Sequence, residues 1–214
     1  MKTGILFDLD GTLLDTLEDL ADSVNHILAA NGYPARTLAE VRAFVGNGAG
    51  QLIRKAAPEG TDVEALLAQF QRYYAGHCQI KTRPYPGILE ALAELSRKYP
   101  LAIVSNKPDA AVKALCAQYF PGIPAMGETA QCPRKPAPDM VLRAMAELGV
   151  ERCIYVGDSE VDIQTAHNAQ VPCLSVLWGF RSRYDLLEAG GSETRFCDST
   201  EELVKRIEEL TCGQ

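Results

Sequence analysis

Continuous apolar runs alternate with amphipathic helical patterns along most of this chain. The first run, Gly4-Ile5-Leu6-Phe7, stops abruptly at Asp8. A run of this kind is typical of a strand that is buried on both faces, as in a parallel sheet covered by helices. Similar runs at residues 101–104 and 153–156, and a run at 173–177 that only Ser175 interrupts, are separated by helical patterns. Strands and helices in alternation predict a doubly wound parallel sheet with right-handed crossovers.

The stretch from about residue 16 to about residue 80 shows helical periodicity only. Thr37-x-x-Glu40 and Thr61-x-x-Glu64 match the capping box that opens a helix. A helical block between the first strand and the next predicts a small inserted domain. We therefore expect a core formed by residues 1–15 and 81–214, and an all-helical cap formed by residues 16–80.

Composition narrows the class of protein and of partner. The chain has 214 residues, 47% of them apolar, which is enough to bury a sizeable core. Its net charge of -7 argues against a nucleic-acid partner, because binding a phosphate backbone needs a basic face. No apolar run approaches the roughly 20 residues of a membrane span, and no cleavable signal pattern precedes the first strand. The sequence leaves open whether the protein is a monomer or a homodimer.

The seven cysteines are scattered without a C-x-x-C pair, which argues against a disulfide framework or a zinc site. Cys153 and Cys173 lie in apolar runs and are interpreted as small core residues. Free thiols are typical of a reducing compartment, so we expect a cytoplasmic protein.

Polar residues follow three of the predicted strands, and Arg134 and Lys135 lie in a loop before a helix. Taken singly, Asp158 would be a turn former or helix cap, Ser105 a local backbone hydrogen-bonder, and Lys135 a solvated charge. Their joint occurrence at the carboxyl edge of one sheet, where ligands bind in open sheets, indicates a site. The candidate residues are Asp8, Asp10, Thr12, Ser105, Asn106, Lys135, Asp158 and Asp162.

The two carboxylates at the end of the first strand suggest a metal ion. Asp8 and Asp10 are separated by one residue, so on an extended chain their side chains point to the same side. Two such charges repel each other unless a cation or a proton lies between them. Oxygen-only ligation by Asp8, the Asp10 backbone carbonyl and Asp158 suits Mg²⁺.

Phosphoryl transfer is the chemistry that suits this set of residues. The reaction needs positioning and neutralisation of spread negative charge, and Lys135 would supply a fixed positive charge. Thr12, Ser105 and nearby backbone N–H groups would complete a cradle for the phosphoryl oxygens. One carboxylate can attack phosphorus to form an acyl phosphate, and its neighbour two residues on can protonate the leaving oxygen and later activate water.

These motifs, in their order and approximate spacing, resemble the haloacid dehalogenase superfamily of phosphohydrolases. They are Asp8-x-Asp10-Gly11-Thr12, Ser105-Asn106, Lys135-Pro136 and Gly157-Asp158-Ser159-x-x-Asp162. The resemblance implies a Rossmann-like core with a small helical cap and a nucleophile at Asp8 with a general acid/base at Asp10. It also implies a Mg²⁺ site at Asp8, Asp10 and Asp158, with Asp162 binding the metal directly or orienting its site. Phosphate contacts are implied for Thr12, Ser105, Asn106 and Lys135.

Two further segments resemble phosphoglycolate phosphatases within that superfamily. They are Val45-Gly46-Asn47-Gly48-Ala49 in the cap and Leu177-Trp178-Gly179-Phe180-Arg181 after a late strand. The resemblance implies that Gly46, Asn47 and Gly48 close over the leaving group of 2-phosphoglycolate. From the residues alone, the glycines indicate a helix break whose backbone needs positive φ. The dehalogenase branch is disfavoured because Asp10 is present, and only an alkoxide leaving group needs an acid there.

Other functions fit the same core residues. The substrate could instead be pyrophosphate, a nucleoside monophosphate or a sugar phosphate, and a sugar-phosphate mutase would use the same scaffold. A phosphoacceptor signalling domain also places acidic residues, a hydroxyl and a lysine around Mg²⁺. Such domains are much shorter, and they have no helical insert after the first acidic motif.

Overall fold

The structure is a computed structural model that describes residues 2–192 and 195–212. The chain divides into two compact units, of which the first comprises Met1–Leu14 and Pro84–Gln214 and the second Asp15–Arg83. We call them the core unit and the helical unit. The assignment of a catalytic role to the first and a cap role to the second stays a prediction.

The described chain contains eight strands. They are β1 (Thr3–Phe7), β2 (Leu14–Asp15), β3 (Arg83–Pro84), β4 (Leu101–Pro108), β5 (Ala125–Glu128), β6 (Arg152–Gly157), β7 (Cys173–Val176) and β8 (Phe196–Cys197). Six of them form one parallel sheet in the order β5-β4-β1-β6-β7-β8, and β2 pairs with β3.

Ten α-helices accompany these strands in the described residues. They are α1 (Leu17–Ala30), α2 (Leu38–Phe44), α3 (Gly48–Ala56), α4 (Val63–Ala75), α5 (Ile88–Leu95), α6 (Asp109–Tyr119), α7 (Asp139–Leu148), α8 (Glu160–Asn168), α9 (Arg183–Glu188) and α10 (Leu203–Cys212). No helix of residues 2–192 or 195–212 combines the length and the apolar character that crossing a membrane requires.

Strand β1 lies at the centre of the sheet and is buried on both faces. Ile5 and Phe7 pack into one apolar cluster with residues of α5, α6 and α10. Leu6 points to the opposite face and packs with residues of α7 and α8. Because alternate residues of a strand face opposite sides, a continuous apolar run fits only a sheet covered on both faces. The predicted doubly wound parallel sheet is confirmed.

Strand β4 is longer than its apolar run indicates. The run ends at Val104, but the strand continues to Pro108 and its pairing with β5 shifts register between these two residues. The polar residues Ser105, Asn106 and Lys107 are therefore part of the strand itself. An extended strand sends alternate side chains to opposite sides, so Ser105 and Lys107 share a side and Asn106 faces the other.

The helical unit contains α1 to α4, and one of its two predicted capping boxes is correct. Glu40 donates its backbone N–H to the Thr37 hydroxyl, and the Glu40 carboxylate accepts the Thr37 N–H at 2.7 Å. The box predicted at Thr61 is wrong, because Asp62 caps α4 by accepting the Ala65 N–H at 3.1 Å. A carboxylate is an excellent N-cap, and its charge also suits the positive end of the helix dipole.

The buried carboxylate of Asp19, in the first turn of α1, binds the segment that follows α4 at the other end of the helical unit. Asp19 is 2% exposed. Its oxygens accept the backbone N–H groups of Ile80, Lys81 and Thr82 at 3.0, 2.9 and 2.8 Å. Hydrogen bonds to a charged acceptor are among the stronger ones, so this carboxylate fixes the segment that leaves α4 against α1.

We expect Asp19→Ala to lower the free energy of unfolding by about 2–5 kcal/mol, because three N–H groups lose a charged acceptor. Urea denaturation monitored by circular dichroism measures this change. The matched control is Asp22→Ala, whose carboxylate is 61% exposed and pairs with Lys81 at 2.7 Å. That exposed pair should contribute little to stability, because solvent screens it. Equal losses in the two variants would contradict the role of Asp19.

Candidate active site

The carboxyl ends of β1 and β6 bring three aspartates together. Asp8 directly follows β1, and its N–H donates to the Val156 carbonyl of β6 at 2.8 Å. Asp8, Asp158 and Asp162 are 7%, 1% and 0% exposed. One carboxylate oxygen from each lies within 4.8 Å of the others. The sheet therefore holds three carboxylates, predicted from two separate motifs, in one buried cluster.

The ammonium group of Lys135 lies inside this cluster. Lys135 Nζ is 2.7 Å from Asp8 Oδ1 and 2.8 Å from Asp162 Oδ1, and it donates to the Tyr155 hydroxyl at 3.0 Å. These three acceptors match the three donors of an ammonium group. Lys135 is 3% exposed, so the structure rules out the alternative of a solvated surface charge.

Asn106 holds the backbone of the Lys135 loop in place. The Lys135 N–H donates to Asn106 Oδ1 at 2.6 Å, and Asn106 Nδ2 donates to the Lys135 carbonyl at 3.1 Å. Asn106 lies on the side of β4 opposite Ser105, as strand alternation requires. Two reciprocal bonds from one carboxamide fix the loop in both position and direction.

Asp162 is saturated by hydrogen bonds from the protein. Its Oδ1 accepts from Lys135 Nζ at 2.8 Å and from the Tyr155 hydroxyl at 3.1 Å. Its Oδ2 accepts from the N–H groups of Asp158 and Ser159 at 3.2 and 3.0 Å and from the Ser159 hydroxyl at 2.6 Å. The bond from the Ser159 N–H is one half of the capping box that opens α8. Distance alone includes Asp162 among the metal ligands, but these five bonds favour a role in orienting its neighbours.

Asp158 is held by the segment that follows β7 and by the loop after β1. Its Oδ2 accepts the Phe180 N–H at 2.6 Å, and the Thr12 hydroxyl lies 3.4 Å from its Oδ1. A side chain at Gly11 or Gly179 would overlap Asp158, and Gly11 also has a φ of +82°. The glycines are therefore required by the close approach of both segments to this carboxylate.

Asp10 faces β4 and stands apart from the three-aspartate cluster. Its Oδ1 lies 2.7 Å from Lys107 Nζ, and the Ser105 hydroxyl lies 3.4 Å from its Oδ2. Lys107 is only 9% exposed. The carboxylate of Asp10 is thus positioned by a cation and a hydroxyl from the same side of β4, and its predicted metal contact through the backbone carbonyl stays a prediction.

Sequence reasoning missed two residues of this site. The apolar run predicts a strand that ends before Lys107, whereas the strand includes it, and its spacing of two from Ser105 is the signal in the sequence that points to it. Tyr155 lies inside the apolar run of β6, and its hydroxyl bonds to Lys135 and Asp162. The sequence of an apolar run does not show whether a tyrosine within it is an ordinary core residue or one whose hydroxyl bonds to residues of a site.

Charge is unbalanced among the buried groups. Burial raises the pKa of Asp8 to about 7, and the Asp162 and Asp10 charges add to this effect while Lys135 opposes it. Burial also raises the pKa of Asp158, with further increases from Asp162 and Asp8. Burial lowers the pKa of Lys135, but Asp162 and Asp8 outweigh that effect and raise it overall. The carboxylates outnumber the ammonium group, so a further cation would relieve the repulsion between them.

A hard divalent cation fits this cluster. Carboxylate oxygens are the ligands that Mg²⁺ prefers, and the cluster offers no nitrogen or sulfur ligand among the described residues. Asp8 and Asp158 are the carboxylates suited to bind it, since Asp162 is already saturated. A divalent cation bound there would balance the excess negative charge of the cluster and would have the oxygen ligands that it prefers.

The loop residues Gly46, Asn47 and Gly48 lie in the helical unit. Asn47 is the N-cap of α3, and Gly46 and Gly48 have φ values of +120° and +79°. The expected helix break with positive φ is confirmed. The binding role of these three residues stays a prediction.

Comparisons with known proteins agree with the geometry. The profile of a family described as haloacid dehalogenase-like hydrolase matches residues 5–176. A phosphoglycolate phosphatase from Mesorhizobium japonicum is 37% identical, over 95% of this chain and 95% of its own length.

Solved structures show the same similarity over nearly the whole chain. A protein from Lactobacillus delbrueckii subsp. bulgaricus, provisionally assigned as a phosphoglycolate phosphatase, has a TM-score of 0.89 at 38% identity and covers 97% of this chain and 99% of its own. CbbY from Rhodobacter sphaeroides, solved with phosphate, has a TM-score of 0.76 at 26% identity and covers 97% of this chain and 100% of its own. With its sheet, its four motifs and its matched profile, this chain belongs to the haloacid dehalogenase-like hydrolase family.

Proposed function

We propose that this chain, a phosphomonoester hydrolase by its family and relatives, is a Mg²⁺-dependent 2-phosphoglycolate phosphatase that works through an aspartyl-phosphate on Asp8. The observation that carries the proposal is the contact of Lys135 with Asp8 and Asp162 inside a buried carboxylate cluster. A cation beside a nucleophilic carboxylate is the arrangement that phosphoryl transfer needs.

The metal would be held by Asp8, Asp158 and the Asp10 backbone carbonyl. When bound, Mg²⁺ supplies positive charge to the phosphoryl oxygens and fixes their orientation. Asp162 orients this site through the Asp158 and Ser159 N–H groups that it accepts. Because the oxygens of Asp162 already accept five hydrogen bonds, Asp162 would position the site while Asp8 and Asp158 bind the metal.

Asp8 attacks phosphorus with one carboxylate oxygen, and the ester P–O bond breaks. Lys135 Nζ is 2.7 Å from Asp8 Oδ1, so a phosphoryl group on this side chain would lie beside the ammonium charge. Asp10 donates a proton to the departing alkoxide. It then accepts a proton from the water that attacks the acyl phosphate, which releases phosphate and restores Asp8.

Thr12 and Ser105 are suited to donate hydroxyl hydrogen bonds to the phosphoryl oxygens. Both are buried, and both already lie against the aspartates of the site. The phosphate contact predicted for Asn106 stays a prediction. Its paired bonds to the Lys135 backbone support an additional role, which is to position that lysine.

The choice of 2-phosphoglycolate is supported by the names of the relatives and by the glycine loop at Gly46, Asn47 and Gly48. Pyrophosphate, nucleoside monophosphates and sugar phosphates fit the same core, and a mutase would move phosphate between two positions of one sugar. We further propose that the protein works in the cytoplasm on small molecules, which the seven free cysteines support.

The test is phosphate release from a panel of these compounds with Mg²⁺. We expect the highest kcat/KM for 2-phosphoglycolate. A higher value for another compound would overturn the substrate assignment, and no release from any compound would overturn the phosphatase proposal.

Removal of the metal extends the same experiment. We expect a chelator to lower the rate by about 10²-fold or more, because the cation stabilises the transition state by several kcal/mol. Added Mg²⁺ should restore the rate. Full activity in the chelator would contradict the proposed metal dependence.

A further inference from the structure

We infer that Lys107 determines substrate specificity by selecting phosphomonoesters whose leaving group carries a carboxylate close to the ester oxygen. The inference rests on the proposed function, since it assigns Asp10 to the leaving group. It uses contacts within the core unit alone.

The position of Lys107 follows from the strand that carries it. Ser105 and Lys107 lie two residues apart on β4 and share a side, and both contact Asp10. The Lys107 N–H also donates to the Ser105 hydroxyl at 3.2 Å. The side chain is thus directed at the carboxylate proposed to protonate the leaving oxygen, on a strand that pairs with β1.

The distance to the leaving group is bounded by two contacts. Lys107 Nζ lies 2.7 Å from Asp10 Oδ1. With Asp10 Oδ1 as the atom that donates the proton, its approach to the ester oxygen at about 2.6–3.2 Å places that oxygen within roughly 6 Å of Lys107 Nζ. A carboxylate attached one carbon beyond the ester oxygen has its own oxygens about 3 Å from it. That carboxylate can therefore reach the ammonium group directly.

The other buried cations near the site face acceptors other than Asp10. Lys135 directs its three donors at Asp8, Asp162 and Tyr155, on the side of the nucleophile. Arg181 forms two hydrogen bonds with the Glu160 carboxylate. Lys107, which is 9% exposed, is the described cation that faces the acid of the leaving group. The ammonium charge attracts a substrate carboxylate as well as the carboxylate of Asp10.

The experiment compares two substrates of equal length. 2-Phosphoglycolate carries a carboxylate, and 2-hydroxyethyl phosphate carries a neutral hydroxyl at the same place. We expect wild-type protein to prefer 2-phosphoglycolate in kcat/KM. Lys107→Met should reduce this preference by about 10- to 100-fold, the value of one hydrogen bond between charged groups, and Lys107→Arg should retain most of it.

The matched control is Lys113→Met, which removes a lysine that is 65% exposed and pairs with Asp109 on α6. Its preference should equal that of wild-type protein. If Lys107→Met does not fold, as judged by circular dichroism, Lys107→Gln takes its place in the comparison.

Two outcomes would overturn the inference. One is an equal loss on both substrates in the Lys107 variant, which is the result expected if the lysine only positions Asp10. The other is a wild-type protein that shows no preference between the two esters. Failure of the proposed function would look different, because wild-type protein would then release phosphate from neither ester.

Discussion

Asp8→Asn is expected to lower kcat for phosphate release by about 10⁴-fold or more, the scale of losing a nucleophile. An amide oxygen is a poor nucleophile and cannot form the acyl phosphate. The variant should remain folded, because Asn keeps the size of the Asp8 side chain and Lys135 Nζ still donates to Asp162 Oδ1 at 2.8 Å. Steady-state kinetics measure the loss, and thermal unfolding confirms that the fold is retained.

The control for this variant is Asp198→Asn, which neutralises a carboxylate that is 63% exposed. It should leave kcat unchanged. Mass spectrometry after an acid quench should detect a phosphorylated Asp8 peptide in wild-type protein during turnover. Rapid turnover by Asp8→Asn would contradict the assignment of the nucleophile.

Lys135→Met is the second change with a large expected effect. It leaves the carboxylates of Asp8 and Asp162 buried without the ammonium group that lies 2.7 and 2.8 Å from them. Removing one partner of a buried ion pair costs about 3–5 kcal/mol of unfolding free energy. We also expect kcat to fall by about 10²–10³-fold, because the phosphoryl oxygens lose a fixed positive charge.

Urea denaturation and kinetics under the same buffer conditions separate these two effects. The control is Lys205→Met, which removes a side chain that is 78% exposed and whose ion pair should contribute less than about 1 kcal/mol. A Lys135→Met variant as stable as wild-type protein would show that the buried carboxylates do not depend on this cation.

The sheet could be predicted because a strand that is buried on both faces has an apolar residue at every position. The run from Gly4 to Phe7 is apolar at every position, and only a strand covered on both faces needs that pattern. The motifs after β1 and β6 could then be placed at one edge, because parallel strands end on the same side. The cluster of Asp8, Asp158 and Asp162 follows from these two steps.

Hydrogen bonds between residues far apart in the sequence could not be predicted from these patterns. Asp19 looks like an ordinary acidic residue in the first turn of a helix, and its acceptance of three N–H groups about 60 residues away depends on how the helices pack. The capping of α4 was misplaced by one residue because Thr61 and Asp62 are both good N-caps. Only the conformation of the backbone decides between two such neighbours.

Asp162 opens α8 and at the same time holds Lys135. The start of this helix and the position of the lysine therefore depend on the same side chain, so a substitution at this residue would disturb both. Protein engineers who seek a more heat-resistant version should leave residue 162 untouched and direct their substitutions to the solvent-facing ion pairs, such as the one between Lys205 and Glu209.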